Sequence, residues 1–78
     1  MSVKIHNRIR VLRAERAISR KALAEAIGVN YQTIGYLERG DYNPSLELAL
    51  RLAEHFEVPV EQIFSLEPFP SLFSSQGG

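Results

Sequence analysis

The segment from Ser19 to Gly40 constrains the fold of this chain more than any other stretch. Ser19 and Asn30 are residue types that cap helix N-termini, and each precedes apolar residues at helical spacing. Gly28 and Gly40 stand where helix C-termini favour a left-handed residue. The segment therefore predicts two short helices joined by a tight turn. Their shared inward-facing set is Leu23, Ile27, Val29, Ile34 and Leu37.

This arrangement is typical of a helix-turn-helix over residues 19–40, whose second helix usually enters the DNA major groove. A helix is predicted before it, over about residues 8–16, with Asn7 as its cap candidate. Another is predicted after it, over about residues 46–56, capped by Ser45. Its apolar residues recur at helical spacing: Leu46, Ala49, Leu50, Ala53 and Phe56.

A short fifth helix is predicted to begin at Pro59 and to continue through Val60, Ile63 and Phe64. Residues 3–5 and 64–66 alternate and could pair as a two-stranded antiparallel sheet that joins the termini. The expected organisation is an all-α, five-helix domain over residues 1–67 and a tail over residues 68–78. Recurring prolines oppose regular structure at the start of that tail.

Composition favours a single small globular domain. The chain has 78 residues and 45% hydrophobic content, which suits one modest core. Without cysteine it has no disulfide or thiolate metal site, and His6 and His55 lack companion ligands. No apolar run approaches a membrane span, and no signal peptide is evident. We therefore expect a cytoplasmic protein without metal, cofactor, membrane association or small-molecule ligand.

The charges divide the chain into a basic and an acidic half. Residues 1–40 contain eight Lys and Arg against three Glu, a formal charge of +5. Residues 41–78 contain one Arg against six Asp and Glu, a charge of −5. Because the basic half contains the two-helix segment, this division favours a face for a polyanion. Two ordinary solvated faces are the alternative.

A family resemblance is carried by residues 34–40 and 42–50. The cap, turn, core and loop positions all match the family pattern at the same spacing. Over about residues 7–64 the chain resembles the Cro/C1-type, or xenobiotic-response-element-type, helix-turn-helix family. Among its short members it is similar to the cytolysin-repressor type. The resemblance implies a lambda-repressor-like fold, a small antiparallel sheet and a DNA-binding dimer. Arg20, Ala22 and Tyr31 depart from the family pattern, which leaves the operator sequence open.

The predicted DNA-binding residues lie on the outer face of the second helix of the motif and around it. Gln32 can pair bidentately with adenine, or be a solvated side chain. Thr33 could touch a thymine methyl group or help to cap its helix, and the tyrosines could contact phosphates or sugars. The full set is Arg20, Lys21, Asn30, Tyr31, Gln32, Thr33, Tyr36, Arg39 and Asn43.

Arg20 and Lys21 are cations in the first turn of a helix, where they oppose the helix dipole. A DNA phosphate docked there would reverse this argument, whereas a tolerated surface charge is the alternative. Gly35 lies in mid-helix, at a cost of roughly 1 kcal/mol relative to Ala. It could allow close approach to the groove or relieve a contact with the preceding helix.

Two charged residues, Arg13 and Glu38, follow apolar residues by four positions and so share apolar faces. The family resemblance implies that they form a structural ion pair between the first helix and the end of the recognition helix. Burial of either charge alone would be costly.

The sequence favours a dimeric, sequence-specific repressor on a palindromic operator, since one unit reads only a few base pairs. The predicted dimer interface is Val60, Ile63, Phe64, Leu66 and Phe69. An antitoxin or another protein-interaction module of the same fold is an alternative, as is a restriction-modification controller protein. An enzyme is not expected, because no nucleophile is paired with a base.

Overall fold

The structure is a computed structural model that describes residues 4–70. Within these residues, two very short strands flank four helices and one turn of 3-10 helix. In order they are β1 His6–Asn7, α1 Ile9–Arg16, α2 Arg20–Ile27, α3 Tyr31–Arg39, α4 Leu46–Phe56, the 3-10 turn Val60–Gln62 and β2 Phe64–Ser65. No helix in this part of the chain is long and apolar enough to cross a membrane.

The caps of α2 and α3 lie where the sequence predicts them. Ser19 Oγ accepts a hydrogen bond from the Ala22 amide at 2.9 Å, and Asn30 Oδ1 accepts one from the Gln32 amide at 2.8 Å. Gly28 and Gly40 end these helices with φ of +81° and +79°. These local hydrogen bonds and backbone angles fix both ends of the two-helix segment.

Asn7 lies one residue before the cap position of α1 and still supplies its hydrogen bond. Its Oδ1 accepts from the Ile9 amide at 3.1 Å, while its Nδ2 donates to the Leu37 carbonyl at 2.7 Å. The same side chain therefore starts α1 and attaches it to the end of α3.

The core is formed by the inward faces of all four helices and by Ile63. Its buried members are Ile9, Leu12, Leu23, Ala24, Ile27, Ile34, Leu37, Leu48, Leu52, Phe56 and Ile63. Val29, predicted to face inward, is partly buried against this cluster. The helix pairs α2–α3, α2–α4 and α1–α3 are in contact, which aligns α3 against the rest of the domain.

The apolar stripe predicted for α4 is partly wrong. Leu46 and Leu50 are 75% and 52% exposed, whereas Leu48 and Leu52 face the core. Leucine occupies every second position from 46 to 52. Leu46 with Leu50 and Leu48 with Leu52 are each four residues apart, so either pair could form the apolar stripe of a helix. Contact with α2 buries the stripe that contains Leu48 and Leu52.

The prediction of a fifth helix is also wrong, because this segment forms only the 3-10 turn Val60–Gln62. The chain must reverse within a few residues to bury Ile63 and to pair β2 with β1. The Arg8 amide donates to the Ile63 carbonyl at 2.9 Å directly beside that pairing. A longer helix would carry these residues past their partners.

The antiparallel sheet is confirmed, with His6 opposite Ser65 and Asn7 opposite Phe64. Its first strand lies later in the chain than the predicted residues 3–5, and Val3 is outside the described residues. The bonds of Asn7 to Ile9 and Leu37 fix this register. Of the predicted tail, only residues 68–70 are described, and residues 71–78 lie outside.

Candidate nucleic-acid interface

Helix α3 has a buried inner face and a polar, aromatic outer face. Ile34 and Leu37 are buried at 0% and 1% exposure. On the outer face Tyr31 and Tyr36 are 55% and 48% exposed, and Gln32 is exposed between them. The side chains of two tyrosines and one glutamine therefore project from a helix whose opposite face is packed in the core.

Three further predicted DNA contacts differ in their surroundings. The Asn30 side-chain oxygen caps α3, which leaves its amide nitrogen as the group available for DNA. Thr33 is half-buried in a groove with Gly28, Tyr42 and Arg51 and lies beside the exposed face of α3. Asn43 is exposed in the loop between α3 and α4.

The predicted ion pair between Arg13 and Glu38 is present. Arg13 Nε donates to Glu38 Oε2 at 2.6 Å, and its Nη2 donates to Oε1 at 3.2 Å. The Glu38 side chain is only 3% exposed, and that of Arg13 is 16% exposed. Arg13 Nη1 also donates to the Ile18 carbonyl at 3.1 Å, so the pair joins α1 to α3 and to the turn that precedes α2.

Glu38 has a second cationic partner that the sequence did not indicate. Arg20 Nε donates to Glu38 Oε1 at 3.0 Å, and the Arg20 side chain remains 44% exposed. The two residues are 18 positions apart, so no local spacing signals their contact. Arg20 is therefore drawn from the start of α2 toward α3, whereas Lys21 is exposed on α2.

Arg39, the last residue of α3, contacts Asp41 and Tyr36. Its Nε donates to Asp41 Oδ2 at 3.0 Å, and its guanidinium carbon lies 5.1 Å from the centre of the Tyr36 ring. The short separation of Arg39 and Asp41 in a turn-rich loop is a signal from which this contact could have been found. The contact orients Arg39 along the outer face of α3.

Two other arginines donate hydrogen bonds to backbone carbonyls of the fold. Arg16 Nη2 donates to the Phe56 carbonyl at 2.6 Å, and Arg51 Nη1 donates to the Ile27 carbonyl at 3.2 Å. Each guanidinium therefore satisfies the C-terminal end of a helix. Both side chains are exposed, but these hydrogen bonds direct their guanidinium groups toward carbonyl groups of the fold.

The five residues predicted to form a dimer interface do not form one uniform surface. Ile63 is fully buried in the monomer core, so its side chain is not available to a partner. Val60 and Phe64 are half-buried, and Leu66 is 69% exposed. Phe69 is half-buried, with the Arg8 guanidinium 5.3 Å from its ring centre.

Comparison with known proteins identifies the family. A family model described as "Helix-turn-helix" matches residues 9–63. The HTH-type transcriptional regulator YgzD of Bacillus subtilis is 43% identical over 61 residues, 78% of this chain and 92% of YgzD. The cryptic phage CTXphi transcriptional repressor RstR of Vibrio cholerae is 36% identical over 59 residues, 76% of this chain and 53% of RstR.

A solved structure agrees with these matches. The restriction-modification controller protein C.AhdI from Aeromonas hydrophila is 33% identical, with a TM-score of 0.66 over 70% of this chain and 83% of C.AhdI. The resemblance drawn from residues 34–50 is thus confirmed, and the chain belongs to the helix-turn-helix family.

Proposed function

We propose that this chain is a dimeric transcriptional repressor that reads a palindromic operator with the outer face of α3. The main support is the exposed Tyr31, Gln32 and Tyr36 on a helix whose other face is fixed in the core. Such a helix can enter the major groove without rearrangement of the domain. The naming of RstR as a repressor supports the direction of regulation.

The proposed contacts divide into base reading and backbone binding. Gln32 pairs with adenine N6 and N7, because an amide can donate to one atom and accept from the other. Tyr31 and Tyr36 contact phosphates or sugars on either side of it. Lys21 and Asn43 bind the DNA backbone, one from the start of α2 and one from the loop after α3.

Selection of bound duplexes from a random pool, followed by footprinting, tests this function directly. We expect an enriched inverted repeat with half-sites about one helical turn, or 34 Å, apart. Failure to enrich any sequence at low salt would contradict DNA reading. An enriched site without two-fold symmetry would contradict the dimeric mode.

The role of Gln32 is tested on the selected operator. Gln32→Ala should remove the preference for adenine at one position of each half-site, at a cost of about 1–3 kcal/mol there. Binding to unrelated duplexes should change little. Equal losses on all duplexes, measured by fluorescence anisotropy, would show that Gln32 does not read a base.

The proposed dimer surface consists of Leu66, Phe69 and the exposed edges of Val60 and Phe64. Leu66→Glu should shift sedimentation at micromolar concentrations from dimer to monomer, because it places a charge in an apolar contact. Leu50→Glu is the matched control, since Leu50 is an exposed leucine on α4. Dissociation by the Leu50 variant alone would move the interface to α4, and a monomeric parent chain would rule out the dimer.

A restriction-modification controller is the second candidate, favoured by the structural match to C.AhdI. The two candidates differ in the genes that they control and not in the mode of DNA binding. Genomic sites upstream of restriction and modification genes would favour the controller. Sites elsewhere would favour a repressor of other genes.

A further inference from the structure

The Arg20 side chain reaches over the second turn of α3, where Gly35 lacks a side chain. A Cβ at Gly35 would lie 3.8 Å from Arg20 Nη1 and 3.4 Å from Arg39 Nη1. Both guanidinium groups therefore lie above the Gly35 backbone. Gly35 is buried beneath them although it faces away from the core.

Each of these guanidinium groups is anchored through its Nε. Arg20 Nε binds Glu38 Oε1, and Arg39 Nε binds Asp41 Oδ2, both at 3.0 Å. The Glu38 carboxylate is nearly fully buried and is fixed on its other side by Arg13. Arg20 therefore keeps its terminal nitrogens as directed donors with little loss of side-chain freedom on binding.

We propose that Arg20 reads the O6 and N7 atoms of a guanine in the operator half-site, with Glu38 as its positioning residue. This inference rests on the proposed function, since it requires α3 to lie in the major groove. It replaces the phosphate contact that the sequence suggested for Arg20. Each operator half-site is thereby assigned a guanine.

Geometry favours a base edge over a phosphate. Arg13, Arg20 and Glu38 together retain a formal charge of +1, so charge alone does not decide between the two. The Arg20 guanidinium retains a flat pair of N–H donors, which matches the two acceptors of guanine. Its position above Gly35 on α3 also differs from the N-terminal end of α2, where a helix binds phosphate.

The test uses the full chain and its selected operator, in which each guanine is replaced in turn by 7-deazaguanine, which lacks the N7 acceptor. One position per half-site should weaken binding about tenfold. In Arg20→Met the same replacement should have less than about a twofold effect, because its partner is already absent. This variant retains the Arg13–Glu38 pair, and circular dichroism would verify its fold.

Lys21→Met is the matched control, because it removes an equal charge one residue along α2. It should weaken binding on all duplexes and retain the tenfold 7-deazaguanine effect. If Arg20→Met also retains that effect, Arg20 does not read the guanine. If no guanine N7 matters to the parent chain, the proposal is wrong even where the variant cannot be folded.

These outcomes separate the inference from the function on which it rests. Enrichment of an operator whose guanine preference is independent of Arg20 overturns the inference alone. Absence of any enriched operator overturns both.

Discussion

Glu38 is the residue on which three segments of the domain depend. Its carboxylate is 3% exposed and accepts hydrogen bonds from Arg13 and Arg20. Glu38→Ala should lower the free energy of unfolding by about 3 kcal/mol, because it leaves Arg13 without its charge partner in a largely buried site. Urea denaturation measures this loss.

An exposed pair provides the control for Glu38. Glu47 and Arg51 form a salt bridge of 2.7 Å with side chains that are 72% and 53% exposed. Glu47→Ala should therefore cost under about 1 kcal/mol. Similar losses for the two variants would contradict the structural importance of Glu38.

Glycine at position 35 destabilises α3, and the packing around it does not require a glycine. An added Cβ would meet only the flexible ends of Arg39 and Arg20, at 3.4 and 3.8 Å. Gly35→Ala should thus raise the free energy of unfolding by about 1 kcal/mol. Thermal or urea unfolding checks the sign, and a lower stability would reveal a steric role toward α2.

At the scale of elements, each of the four helices is followed by a residue with a left-handed backbone, but only two of these residues are glycine. Glycine occupies this conformation after α2 and α3, whereas Ala17 and Glu57 adopt it after α1 and α4 with φ of 54° and 59°. Glu57→Gly should stabilise the domain by about 0.5–1 kcal/mol, because the left-handed strain exceeds the added chain entropy.

The same substitution within α4 should have the opposite effect. Glu54 is exposed in the last turn of α4 with a helical backbone. Glu54→Gly should destabilise by about 1 kcal/mol, since glycine is a poor helix former. Two losses of equal size in urea unfolding would show that the Glu57 backbone is not strained.

The elements also differ in how far sequence predicts them. The bounds of α2 and α3 and the start of α4 follow from caps and glycines whose hydrogen bonds close within a few residues. The segment after Pro59 forms one 3-10 turn because Ile63 must reach the core and β2 must reach β1. The β1 partner of β2 is more than 50 positions away, so local propensity cannot predict this turn.

At the scale of the whole molecule, the number of basic residues in residues 1–40 is larger than the number available to bind DNA phosphates. The chain has no net charge, and many of its arginines already have partners in the fold. Within residues 1–40 these are Arg13, Arg16, Arg20 and Arg39, which donate to carboxylates or carbonyls. DNA binding should therefore depend less on salt than the eight Lys and Arg of residues 1–40 suggest.

We expect each protomer to neutralise about two or three phosphates, so that log K falls with log salt at a slope of about −2 to −3 per protomer. Lys21→Met should reduce this slope by about 1. Anisotropy titrations over a series of KCl concentrations measure both values. A slope near −5 would mean that the structural arginines leave their partners on DNA.

The sequence by itself determined the two-helix segment, its caps and the inward and outward faces of α3. These features follow from contacts within one or two helical turns, which residue type and spacing specify. The tertiary structure alone decided the stripe of α4 that is buried, the register of β1 and the second partner of Glu38. Each of these depends on packing between segments that are distant in the chain, and that packing directs Arg20 from the start of α2 to the face of α3.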